Sequence, residues 1–183
     1  MSKIKQLIDS YQRYMMIRWQ RDAAPSQRVI FCVYPETAEL ALRARIGEFE
    51  LASAIGGHRW ACFDLTDLFA RWMAGHKYAK SYFAAPDRLA TVLHTFLPYL
   101  TEEFETFLHD CKADEETVVA LMGVGALFGF VKVKAVVDAF APLVTGRLVV
   151  LFPGSYENNN YRLLDGYDGW DYRAVPITPG KEF

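Results

Sequence analysis

"RVIFCVYP", Arg28 to Pro35, is the stretch that decides the fold. Every position from Val29 to Tyr34 is apolar or aromatic, with β-branched residues at Val29, Ile30 and Val33. A strand with one wet face alternates apolar and polar residues. A run without alternation predicts a strand covered on both faces, as in parallel sheets sandwiched by helices. Pro35 closes the run, because its ring removes a donor the ladder needs.

Three further stretches have the same character: "RWACFDL" at 59–65, "TVVALMGVG" at 117–125 and "GRLVVLFPG" at 146–154. Helical patterns lie between them. Leu42, Ile46 and Phe49 mark a stripe on a helix over 36–53, which Gly56 and Gly57 end. "TDLFARWMAG" predicts a helix after the second strand, with Asp64 or Thr66 as its cap. A long helical pattern runs from Asp87 to Cys111, where Pro98 predicts a kink or a break. Val133, Val136, Val137 and Phe140 keep helical spacing before the fourth strand. "YRLL" and "YRAVPI" predict one or two short strands near the end. At the start, Ile4, Leu7, Ile8, Tyr11 and Met15 form the stripe of an amphipathic helix over 1–24, with Pro25 as its stop and Lys3, Lys5, Arg13, Arg18 and Arg21 on its other faces. The expected fold is α/β: a mainly parallel sheet of four to five strands with helices on both faces, a single three-layer domain whose body spans 28–177.

The 183 residues suit one domain, and 52% hydrophobic content is enough for a sizeable core, which excludes general disorder. A net charge of −2 gives no support to a generic nucleic-acid coat. The first residues lack the apolar core and cleavage site of a signal peptide, and the apolar runs are too short to span a bilayer. Cys32, Cys62 and Cys111 are odd in number and widely spaced, which fits reduced thiols and a cytoplasmic location. His58, His76, His94 and His109 stand alone without metal-ligand spacing, so no metal and no cofactor is expected. No nucleophile stands near an obvious base, and the chain is not expected to be an enzyme.

In a parallel sheet, ligands and partners meet the carboxyl ends of the strands. Two turns there are unusual. "GVGALFGF" carries Gly123, Gly125 and Gly129 at a spacing one residue longer than the dinucleotide fingerprint, without the Lys-Ser/Thr of a phosphate loop. It reads either as a close helix–strand turn, as an anion or nucleotide turn, or as a contact using Phe128. "FPGSYENNNYRLLDGYDGWDYR" follows the fourth strand. Pro153 and Gly154 force a turn, Asn160, Asp165 and Asp168 are candidate braces, and Tyr161, Arg162, Tyr167 and Trp170 are candidate contacts. Tyr, Trp and Arg dominate protein hot spots. The same stretch also reads as a self-braced loop, or as a base-stacking surface. The basic first helix is a further candidate for nucleic acid.

The runs "RVIFCVYP…RARIGEFELA", "DLTDLFARWMAGHKY", "ALMGVGALFGF" and "LFPGSYENNNYRLLDGYDGWDYRAVPI" together resemble the B components of BREX bacteriophage-exclusion systems, BrxB, over nearly the whole chain. The closing motif, Phe152 to Asp165, carries most of the likeness; Asp171 stands where the family usually has Asn. The resemblance implies an accessory protein of antiviral defence. It points to other BREX proteins as partners, first the phosphatase-like component and the large ATPase. The resulting expectation is an interaction module that presents the 152–172 loop.

Overall fold

The structure, a computed structural model, describes residues 2–166 and 171–183. Its centre is a sheet with β1 (Val29–Tyr34), β2 (Arg59–Asp64), β3 (Thr117–Met122), β4 (Arg147–Glu157), β5 (Asn160–Leu163) and β6 (Val175–Ile177). The order is β2-β3-β4-β1-β6, and every neighbouring pair on that path is parallel. The fold is therefore α/β, as the four apolar runs predict. β5 and β6 are the short strands expected near the end. Pro153 and Gly154, where the sequence predicts a turn, instead lie inside β4, which continues into a hairpin with β5, the one antiparallel pairing among the described residues.

Alternate residues of each central strand feed two separate cores. Val29, Phe31, Val33, Leu148, Val150 and Phe152 point to one face. There they meet α4 (Leu68–Ala74), α6 (Phe96–Asp110) and α7 (Val133–Phe140). Ile30, Cys32, Tyr34, Val149 and Leu151 point to the other, against α1 (Lys3–Met15), α2 (Glu39–Arg43) and α3 (Ile46–Ile55). This two-sided burial is why the strands lack polar alternation. It also explains the inert thiols: burial pushes Cys62 up to about 12, and Cys32 higher still. A short helix α5 (Ala79–Ala84) joins α4 to α6. No helix among the described residues is long and apolar enough to cross a membrane.

Three helix boundaries differ from expectation. The first helix closes at Met15 and not at residue 24. The chain from 16 to 24 is irregular, and Trp19 stacks at 3.5 Å on His58, a tertiary contact no local pattern displays. The helix expected over 36–53 is broken between Arg43 and Ile46. Arg43 and Arg45 each pair with a glutamate on their own helix, Glu39 and Glu48, at the two sides of the break. The pattern from Asp87 opens as two 3-10 turns, and α6 begins only at Phe96. Pro98 thus lies in the first turn of α6, where an amide donor has no intrahelical acceptor, and the helix runs unbroken through it to Asp110.

Candidate functional site

The described part of the closing segment is organised by Gly154. At this residue β4 leaves the parallel sheet and starts pairing with β5, Gly154 opposite Leu163. A Cβ on Gly154 would lie 1.9 Å from the Arg162 carbonyl oxygen, so only glycine permits the approach. The hairpin closes with Asn158 and Asn159 at φ 51° and 63°. Two successive left-handed residues mark a type I′ turn, which matches the twist of the flanking strands, and asparagine tolerates that conformation. Two of the three asparagines therefore have a backbone role. Asn159 Oδ1 also accepts a hydrogen bond from the Tyr156 hydroxyl at 3.0 Å. Asn160, expected as a brace, donates only a long 3.3 Å bond to the Asn158 carbonyl. Asp165 is exposed and makes no hydrogen bond or ion pair among the described residues, so it is not a brace there.

Tyr161 is the main correction. The sequence suggests an outward contact, yet its ring is fully buried among Phe31, Phe152 and Tyr156. The period-2 alternation of β5 accounts for this: Tyr161 and Leu163 face inward, Asn160 and Arg162 outward. The Tyr161 hydroxyl donates to the Ala174 carbonyl at 3.2 Å, tying the hairpin to the approach to β6. Burial raises the phenol pKa far above its ordinary value, so it stays a neutral donor. Tyr172 stacks on Phe31 from the same side, and burial with the Asp138 carboxylate pushes it up to about 12. Tyr167, Asp168 and Trp170 lie outside the described residues.

Arg162 is exposed and has no carboxylate partner among the described residues, although Glu157 and Asp165 are near in sequence. Leu164 follows with φ 54°, a conformation that disfavours a bulky side chain. Its amide donates to the Pro153 carbonyl at 2.8 Å, and Pro153 itself is buried. The Leu164 side chain and Pro153 lie against Gly125. Phe128, 48% exposed, lies over Gly166. The hairpin and the glycine turn, distant in sequence, are thus joined in one face at the carboxyl end of the sheet.

Within that face the glycines serve packing. Gly123 has φ 76°, and a Cβ there would meet Thr66 Oγ1 and Asp64 Oδ1. The Asp64 carboxylate beside Gly123 would repel an anion, which opposes the phosphate reading of this turn. Gly129 also has a left-handed φ of 82°, in open space. Asp64 does not cap α4; it accepts from the Thr66 amide at 2.9 Å and from the Thr66 hydroxyl. Arg43 donates to Thr66 at 2.8 Å and to Glu39 at 2.7 Å, and Glu39 accepts from the buried Tyr34 hydroxyl. This chain of bonds ties α2 to the ends of β1 and β2. Sequence reasoning missed it: Asp64 and Thr66 carried a signal only as cap candidates and Tyr34 only as the last residue of an apolar run, and nothing local links them to Arg43 and Glu39. The basic residues of α1 are partly engaged: Lys5 pairs with Asp9 at 2.8 Å, and Arg13 donates to the Lys181 carbonyl at 2.8 Å. No group of three or more His, Cys, Asp or Glu among the described residues could hold a metal ion.

No solved structure matches the chain. A family model, BREX protein BrxB, matches residues 62–177. That span covers more than half of the chain and holds the second half of β2, then β3, the glycine turn, the hairpin and β6. The chain belongs to the BrxB family and is thereby a component of BREX phage defence.

Proposed function

We propose that this protein is a non-enzymatic interaction module of a BREX complex. Its carboxyl-end face, built from the hairpin and the glycine turn, docks on another BREX protein, the phosphatase-like component or the large ATPase. The observation that carries the reading is an exposed guanidinium at Arg162, without a carboxylate partner among the described residues, on the same braced face as the half-exposed ring of Phe128. Arginine and aromatic side chains are enriched in binding hot spots because they combine large contact area with directional polar tips. A braced face also loses little entropy on docking. The strained backbone at Leu164 supports the same reading, because strain persists where surrounding structure holds a functional shape.

The test is co-purification of tagged full-length protein from cells expressing the whole defence operon. Arg162→Ala combined with Phe128→Ser is expected to lower recovery of the partner about tenfold, the effect of roughly 1.4 kcal/mol. Tyr161→Phe, which alters only a buried hydroxyl, should recover the partner as wild type does. Equal recovery with the surface variant would place the docking face elsewhere.

A further inference from the structure

We propose that the cleft at the opposite, amino end of the sheet binds a small phosphate-bearing anion, held by Arg28 and Arg147. The inference is independent of the docking face. The cleft has a volume of about 510 Å³, in the range of small-molecule sites. It is lined by residues that immediately precede or open β1 to β4, and by the irregular chain after α1.

Its charge is unbalanced in an informative way. Four arginines line it against two glutamates. Arg147 is only 7% exposed and has no carboxylate within ion-pair distance among the described residues. It is held by neutral groups instead: the Gln20 carbonyl at 3.0 Å, the Gly146 carbonyl at 3.2 Å and the face of Trp19 at 4.7 Å. Among the described residues Arg28 likewise donates only to carbonyls, those of Ala23, Val144 and Thr145. A buried cation beside a second cation, with no carboxylate in ion-pair contact with either among the described residues, is unfavourable. Burial and the Arg28 charge lower the pKa of Arg147, against the opposing effects of Tyr14 and Glu116. Each guanidinium has five N–H donors in a planar fork suited to phosphate; among the described residues Arg28 uses three of them and Arg147 two.

Two further buried nitrogens in the cleft, Trp19 Nε1 and His58 Nδ1, make no hydrogen bond among the described residues. The His58 side chain is nine-tenths buried, and its Nδ1 lies 3.5 Å from the Glu116 carboxylate, too long for a good hydrogen bond. Trp19 is sandwiched between His58 and Arg147, so its ring faces are occupied and only its N–H is left to offer. Buried polar groups without partners are rare in folded proteins, and a bound ligand is one explanation. A phosphate would offset the two inner guanidiniums and could accept from the Trp19 N–H. Arg18 and Arg21 are exposed at the cleft and extend the positive field outward, although Arg21 also approaches Glu116 at 3.7 Å.

The experiment uses the full chain, with thermal unfolding and calorimetric titration against inorganic phosphate, pyrophosphate and ATP at constant ionic strength. Sodium chloride and a short DNA duplex serve as comparisons. Saturable stabilisation that grows with the logarithm of free ligand is expected for at least one phosphate compound. Arg147→Lys keeps the charge but loses the fork, and should weaken that affinity at least tenfold. Should that variant fail to fold, the exposed pair Arg18→Ala and Arg21→Ala carries the test, with an expected loss of several-fold. The proposal is overturned by no saturable shift at 10 mM of any phosphate compound, or by affinity unchanged in the variants. Equal stabilisation by chloride, or tighter binding of duplex than of any small phosphate, would also overturn it by pointing to a diffuse surface effect.

Discussion

Gly154 and His58 show how a single residue reports on its surroundings. At Gly154 a methyl group would overlap the Arg162 carbonyl, and backbone on both sides is fixed by ladder pairing. Gly154→Ala should therefore destabilise the protein by about 3 kcal/mol or more, the upper range of overpacking, as read by denaturant midpoint. A midpoint close to wild type would mean that the hairpin can part from β4 at little cost. His58 has a pKa lowered by burial, with the Arg147 charge adding to the effect and the Glu116 carboxylate opposing it. A lowered folded-state pKa means that the unfolded chain takes up the proton first. Stability linked to this residue is thus complete above the ordinary histidine value of about 6.5 and falls as pH drops below it. The melting temperature of wild type should fall between pH 7 and pH 5 more steeply than that of His58→Asn. Parallel profiles would show that His58 protonates freely in the fold.

Elements divide sharply in how far local pattern specifies them. The four buried strands were legible because two-faced burial writes itself as continuous apolar sequence. Strand order was not, since register and neighbour choice depend on contacts between segments that lie far apart in the chain. Helix ends were misread where tertiary contacts override periodicity: Trp19 leaves the helical path to stack on His58, and Pro98 occupies a first turn that begins nine residues after Asp87. The hairpin combines both situations. Its asparagines were legible as turn formers, whereas the inward aim of Tyr161 follows from which parity of β5 faces Phe31 and Phe152. Turn chemistry can be tested directly. Asn159, at φ 63°, should accept glycine with unchanged or slightly raised stability. Asn159→Val places a β-branched side chain in the left-handed region and should cost about 1–2 kcal/mol. Similar melting temperatures for both variants would mean that the turn relaxes to another type.

At the scale of the whole molecule, the parallel sheet separates two surfaces of opposite character. Strands of one direction collect their amino ends on one side and their carboxyl ends on the other. The arginine-lined cleft lies at the first, and the face containing Phe128 and Arg162 at the second. Six residues of strand at roughly 3.3 Å each set them about 20 Å apart, beyond the screening length in physiological salt. Between them lie two tightly packed cores, with Phe104 stacked on Phe140 at 4.0 Å on one face and Tyr11 bonded to Ser53 on the other. A densely packed scaffold couples distant sites only if it has a second arrangement to shift into. Anion binding and partner docking should therefore be independent. Partner recovery from the tagged chain should be the same with and without saturating pyrophosphate. By the reciprocity of linkage, the Arg162→Ala and Phe128→Ser variant should bind pyrophosphate as tightly as wild type. A pyrophosphate affinity altered severalfold by those distant substitutions would instead reveal a bistable element running through the sheet, and the shift in affinity would measure its coupling.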